Sequence, residues 1–158
     1  MPRQEIPEKL VRGPESMSAN NFILFAEDNS DEADLIRVAC AHAGLPQTSY
    51  RIVRDGLQAI SYLESAVAIP SAVPRPTHVF TDVEMPLYDG LRLLWWIRTR
   101  PEFKHVWVTV LTNHATDDIR ERASRLGCDA FLQKPPRFED LVSLVVQAAG
   151  ATIPMGAD

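Results

Sequence analysis

The sequence predicts a doubly wound α/β domain, a five-stranded parallel sheet with helices on both faces. Three observations carry this. Several short apolar runs are continuous rather than alternating, as strands buried on both faces are. Segments of helical periodicity follow them, so that five strands alternate with five helices, an order that calls for right-handed crossovers. Polar residues stand at or just beyond the ends of four runs: Glu27-Asp28, Asp82, Thr112 and Lys134. In such sheets ligands bind outside the carboxyl ends of the strands, where the winding reverses.

The first run is Phe22-Ile23-Leu24-Phe25-Ala26, ended by Glu27-Asp28. Asn29 or Ser30 can cap the helix that follows, and Asp31, Glu32 and Asp34 suit its positive end. Ile36, Cys40 and Ala43 share one helical face, and Gly44 and Pro46 stop the helix. Ser49 to Val53 alternates weakly and reads as an edge strand. The next helix spans 56–66, with Leu57, Ile60 and Leu63 predicted inward. Pro70, Pro74 and Pro76 mark a surface loop.

The central stretch is His78-Val-Phe-Thr-Asp82-Val-Glu84-Met-Pro-Leu-Tyr-Asp-Gly90. An apolar run ends on a carboxylate, a Met-Pro turn follows, and Asp-Gly opens a helix. That helix is predicted over 90–100 through Leu91, Leu94, Trp95 and Arg98. Trp95 and Trp96 cannot both face the core. Val106 to Leu111 is rich in β-branched residues and reads as a central strand. An amphipathic helix over 115–126 turns Ile119, Ala123 and Leu126 inward. Ala130-Phe131-Leu132 is a short strand. The last helix covers 138–149, with Leu141, Leu144, Val145 and Ala148 inward. Val142, Val146 and Ala149 extend apolar character around its girth.

At 158 residues the chain is long enough for one domain with a real core. Apolar residues make up 46% and charged residues 23%, with a net charge of −5, which suits a globular protein better than a nucleic-acid binder. The apolar runs are far shorter than a membrane span, and the N-terminus lacks a signal-peptide pattern. Cys40 and Cys128 are isolated and read as reduced thiols of a cytoplasmic protein. Residues 1–20 read as a flexible tail, 21–150 as the domain and 151–158 as a short tail. Met17 is an alternative start to Met1.

An acid at the end of a buried strand is costly unless it is paired or has a task. Three acids meeting at one place repel one another, and a divalent cation relieves this. An all-oxygen set suits Mg²⁺. Asp28 and Asp82 are candidate direct ligands, Glu27 binds directly or through water, and Glu84 can add its backbone carbonyl. Asp82 can then attack phosphorus as a nucleophile. Lys134 can neutralise a phosphoryl oxygen and the Thr112 hydroxyl can bind another. Movement of Thr112 toward a modified Asp82 would carry the following helix with it.

These residues together resemble the receiver domain of two-component response regulators. The resemblance covers 22–149: the acid pair after the first strand, Asp82-Val-Glu-Met-Pro-Leu-Tyr-Asp-Gly90, Thr112 and Lys134-Pro135. Thr112 lies 30 residues after Asp82, and Lys134 lies 22 after Thr112, as in that family. It implies a flavodoxin-like (βα)5 fold with strand order 2-1-3-4-5. It also implies Asp82 as phosphate acceptor, Glu27 and Asp28 as metal-site acids, Thr112 as the switch hydroxyl and Lys134 as the phosphate-binding cation. Glu-Asp-Asn-Ser-Asp, Arg54-Asp55-Gly56 and the Pro-rich loop resemble stand-alone regulators associated with phytochrome-type sensor kinases. Four positions depart from the common pattern: Asn113, where a small residue is usual; His114; Phe131, where a tyrosine can stand; and Pro136.

The function expected is that of a phosphoacceptor, not an enzyme acting on other substrates, with catalysis of its own phosphorylation from small phosphodonors and of its own dephosphorylation as a further expectation. The expected donor is a sensor histidine kinase. Only about nine residues follow the last helical pattern, so no DNA-binding output domain is expected. Output then passes to a target protein or phosphotransfer protein, with a homodimer through the last two helices and fifth strand as a further expectation. The alternative is a phosphorylation-independent pseudo-receiver. An aspartate-nucleophile phosphohydrolase fits less well, because that class places its nucleophile after the first strand.

Overall fold

The computed structural model describes residues 21–150. The two tails and the choice between Met1 and Met17 lie outside the described residues. The elements are β1 (Ile23–Ala26), α1 (Ser30–His42), β2 (Tyr50–Val53), α2 (Gly56–Ala68), β3 (His78–Thr81), α3 (Gly90–Arg98), β4 (Trp107–Thr112), α4 (Asp117–Leu126), β5 (Ala130–Gln133) and α5 (Phe138–Ala148). The strands form one parallel sheet in the order β2-β1-β3-β4-β5. This is the flavodoxin-like arrangement expected, with β2 at an edge. Ile23 pairs with Tyr50 on one side and His78 on the other, so β1 and β3 end level with each other.

Alternate strand residues serve two cores. Leu24, Ala26, Val79, Val108 and Val110 pack with residues of α2, α3 and α4. Ile23, Phe25, Phe80, Leu111 and Leu132 pack with α1 and α5 on the other face. Every residue of β1 and β3 is buried, which is why those runs carry no alternation. Side chains of Asn29, Asp55, Asp89 and Thr116 cap α1, α2, α3 and α4 by accepting backbone N–H groups.

Three helix faces differ in part from expectation. On α2 the buried residues are Gly56, Ala59, Leu63 and Ala66, while Leu57 is 47% exposed and Ile60 half-buried. Small residues face inward because the helix start packs closely on the loop after β3: a Cβ on Gly56 would stand 2.4 Å from the Tyr88 carbonyl oxygen. On α3 the inward stripe is Gly90, Leu93, Leu94 and Ile97, with Trp96 also buried. Of the predicted stripe of Leu91, Leu94, Trp95 and Arg98, Leu91 and Leu94 are buried as expected, whereas Trp95 is 54% exposed and Arg98 turns to polar partners. On α5, Val142 and Ala149 pack partly against the core instead of lying free on the outer girth.

Arg98 serves as a tie rather than a core residue. Its Nε donates to the Gly127 carbonyl at 2.8 Å, Nη1 to the Val106 carbonyl at 2.8 Å and Nη2 to Asp129 at 2.7 Å. The Asp129 carboxylate also accepts the Val108 N–H at 2.8 Å. One side chain therefore joins α3, the approach to β4 and the turn before β5. Arg98→Ala leaves two carbonyls and part of a carboxylate unsatisfied, and a loss of about 3 kcal/mol in unfolding free energy is expected by urea titration.

Both cysteines are free thiols. Burial pushes the Cys40 thiol up to about 12, and burial beside Asp129 also raises Cys128. Because the thiolate is the reactive form, native protein at pH 8 should leave Cys40 unalkylated by iodoacetamide until denaturant is added, as peptide mass mapping would read.

Candidate functional site

The carboxyl ends of β1, β3, β4 and β5 bring the expected polar residues to one side of the sheet. Glu27 and Asp28 follow β1, Asp82 follows β3, Thr112 closes β4 and Lys134 follows β5. Glu27 is almost wholly buried; Asp28 and Asp82 are half-buried. Carboxylate oxygens from Glu27, Asp28 and Asp82 lie within 4.8 Å of one another.

The Lys134 ammonium holds this cluster together. It donates to Asp82 Oδ2 at 2.8 Å, to Glu27 Oε1 at 2.7 Å and to Glu32 Oε2 at 2.5 Å. Its three protons thus meet three carboxylates. Burial alone would lower the lysine's proton affinity, but the bonds to Asp82, Glu27 and Glu32 outweigh it and hold the ammonium well above its ordinary value. Burial pushes Glu27 up to about 7, against the pull of Lys134. For Glu32 burial is outweighed by Lys134 and by Asn113, and its carboxyl sits below the usual range.

The loop that carries Asp82 is tightly specified. Asp82 Oδ1 accepts the Val83 N–H at 2.6 Å, so both carboxylate oxygens are engaged. Gly90 N–H donates to the Val83 carbonyl, and a Cβ on Gly90 would stand 1.8 Å from the Asp82 carbonyl oxygen. Only glycine permits that approach. Tyr88 N–H donates to the Pro86 carbonyl at 2.7 Å around Leu87, whose φ is +69°. This is a γ-turn of the rare, strained kind, held in place beside the Asp82 loop. Gly56 N–H donates to the Tyr88 carbonyl at 3.1 Å, and the Arg54 guanidinium to the Asp28 carbonyl at 2.9 Å. The Arg54-Asp55-Gly56 stretch therefore secures both acid-bearing loops.

Three expected residues stand apart from the Lys134 cluster. Thr112 is fully buried, and its hydroxyl accepts the His114 N–H at 3.1 Å; it makes no hydrogen bond to Asp82. Glu84 turns its side chain to His114, Oε1 to Nδ1 at 3.1 Å, on the exposed rim, as expected of a residue offering only its backbone inward. Phe131 is buried beneath the Arg120 guanidinium, 4.8 Å from the ring centre. Glu32 enters the site without having been singled out as functional, and Asn113, noted as a departure from the family pattern beside the phosphate position, joins it. The Asn113 amide donates to Glu32 Oε1 at 3.1 Å. The usable signal was position: Glu32 stands in the first turn of α1, shortly after the acid pair that ends β1.

The residues fit a divalent metal. The donor set is all oxygen, compact and strongly anionic, which suits a hard cation such as Mg²⁺. Among the described residues, Lys134 is the cation bonded to both Glu27 and Asp82. Lys134→Met should lower stability by roughly 3 kcal/mol in EDTA, the scale for breaking a buried ion pair. Millimolar Mg²⁺ should restore part of the loss, read by chemical denaturation in both buffers.

The family model described as the response regulator receiver domain matches residues 23–146. Response regulator Rcp1 of Synechocystis sp. is 28% identical over 123 residues, covering 78% of this chain and 82% of Rcp1. The probable methanogenesis regulatory protein FilR2 of Methanothrix harundinacea is 35% identical, covering 76% of each chain. The crystal structure of the phosphorylated cyanobacterial phytochrome response regulator RcpA aligns with a TM-score of 0.72 at 27% identity, over 87% of this chain and all of that one. The manganese-bound form of Rcp1 aligns at 0.69 and 26% identity, over 85% and 99%.

Proposed function

Because the chain belongs to the response regulator receiver domain family, we propose that it accepts a phosphoryl group on Asp82 from a sensor histidine kinase and signals through a changed surface. The observation that carries this is the single Lys134 ammonium shared by Asp82 and the buried Glu27, with Asp28 alongside.

In the transfer an Asp82 carboxylate oxygen attacks phosphorus. The new O–P bond forms as the P–N bond to the kinase histidine breaks, and the imidazole nitrogen keeps the electron pair. Asp28, Asp82 and the Glu84 carbonyl would hold Mg²⁺, with Glu27 binding directly or through water. The ion supplies positive charge that neutralises the acids and the incoming phosphoryl oxygens. Manganese bound to the relative Rcp1 supports a divalent site of this kind. Lys134 would exchange a carboxylate for a phosphoryl oxygen. The Thr112 hydroxyl would leave the His114 N–H and turn to the phosphoryl group, drawing the loop before α4 with it. The Glu84–His114 pair lies across the rim that a phosphodonor or attacking water must pass.

The kinase we propose is of phytochrome type, on the likeness to RcpA and the three sequence features noted above. Among the described residues no helix is long and apolar enough to cross a membrane. We place the protein in the cytoplasm with its kinase, and its output in contact with a target or phosphotransfer protein. A homodimer through α4, β5 and α5 belongs to the same proposal, and light scattering in both phosphorylation states would test it.

Incubation with acetyl phosphate and Mg²⁺ should add one phosphoryl group by intact mass. The gain should vanish in Asp82→Asn and in EDTA. Folded wild-type protein that gains no mass would favour the phosphorylation-independent reading.

A further inference from the structure

The contact between Glu32 and Lys134 has no part in the transfer chemistry above. Glu32 lies in the first turn of α1, where an acid already suits the helix dipole. Its side chain nevertheless reaches across to Lys134 at 2.5 Å and accepts from Asn113 at 3.1 Å. It thus joins the start of α1 to the tip of β5 and to the loop between β4 and α4.

An ammonium has three protons, and here all three are taken. A phosphoryl group on Asp82 brings about two negative charges and needs a donor from Lys134. One existing bond must yield. Glu27 is held in the interior, its second oxygen accepting the Asn29 N–H at 3.2 Å. The Asp82 carboxylate loses its charge on forming the O–P bond and yields the Lys134 proton it accepted to one phosphoryl oxygen, and a second phosphoryl oxygen then competes with Glu32 for the ammonium. The Glu32 side chain is 30% exposed and can turn into water at little cost. It would also stand against the phosphoryl oxygens as a like charge within a few ångströms.

We propose that Glu32 is a built-in competitor for Lys134: its carboxylate holds the ammonium in the unmodified protein and is expelled when Asp82 carries a phosphoryl group. Expulsion also releases Asn113, the residue next to Thr112. The β4–α4 loop is thereby untied from α1 in the same step. Glu32 is a positioning residue, acting on the phosphoryl group only through Lys134. The inference rests on the phosphoacceptor reading.

The test is beryllofluoride binding at saturating Mg²⁺, by calorimetry, for wild type, Glu32→Gln and Glu32→Asp. Removing the competitor should tighten beryllofluoride roughly fivefold to tenfold in Glu32→Gln, the scale of the net contribution of one hydrogen bond. Glu32→Asp, one methylene shorter, should shift the same way. In wild type, the Asn113 side-chain amide resonances should move to solvent-like positions on adding beryllofluoride. Equal or weaker binding in Glu32→Gln would overturn the proposal, and so would unmoved Asn113 resonances in a wild type that binds. A merely structural Glu32 would lower the melting temperature without tightening the complex. Wild type that binds no beryllofluoride at all would overturn the phosphoacceptor reading itself, and the two failures are separate results.

Discussion

One buried lysine sets the terms for the whole site. Glu27, Glu32 and Asp82 crowd around Lys134, and without a cation those carboxylates could not share so small and dry a space. The acids come from the ends of β1 and β3 and the start of α1, and the lysine from beyond β5. The ion cluster therefore depends on the strand order, and the order on the two apolar layers that sandwich the sheet. The price of holding like charges together leaves the site ready to accept a further cation. It also means that a new anion would compete with those already present for Lys134.

The surrounding backbone serves the same end. Gly90 lets the start of α3 press against the Asp82 carbonyl, and the γ-turn at Leu87 shortens the loop between them. Leu87 itself is 75% exposed, so packing does not explain its strained backbone; the loop's tight closure does. Gly56 and Arg54, from the far side of β2, fasten the Tyr88 and Asp28 carbonyls. The two acid loops are thus fixed from outside the site, which lets their carboxylates face one another without splaying. Thr112 and Phe131 lie at its other side, on the two strands nearest α4 and α5.

What could be read from the sequence was what period and position encode. Unbroken apolar runs marked strands buried on both faces, and the acids and lysine at their ends marked the site. Helix phase was harder. Leu57 and Trp95 were placed inward on spacing, yet Ala59 and Leu93 are the residues fully buried there, and at α2 the close packing of the helix start on the Tyr88 loop favours small residues. Glu32 was legible only as a helix-start acid. Its reach to Lys134 joins residues 102 apart in sequence, and local pattern carries no trace of that. The resting orientation of Thr112 was equally hidden, because a hydroxyl can serve its own loop or the pocket, and only the fold decides between them.

The central claim is that Lys134 changes partners when Asp82 is modified. A crystal structure with Mg²⁺ and beryllofluoride tests it most directly. The account predicts Lys134 bonded to a fluorine of the adduct, still near Glu27, with Glu32 turned to solvent and Asn113 released. An adduct on Asp82 with the Lys134–Glu32 contact intact would contradict it.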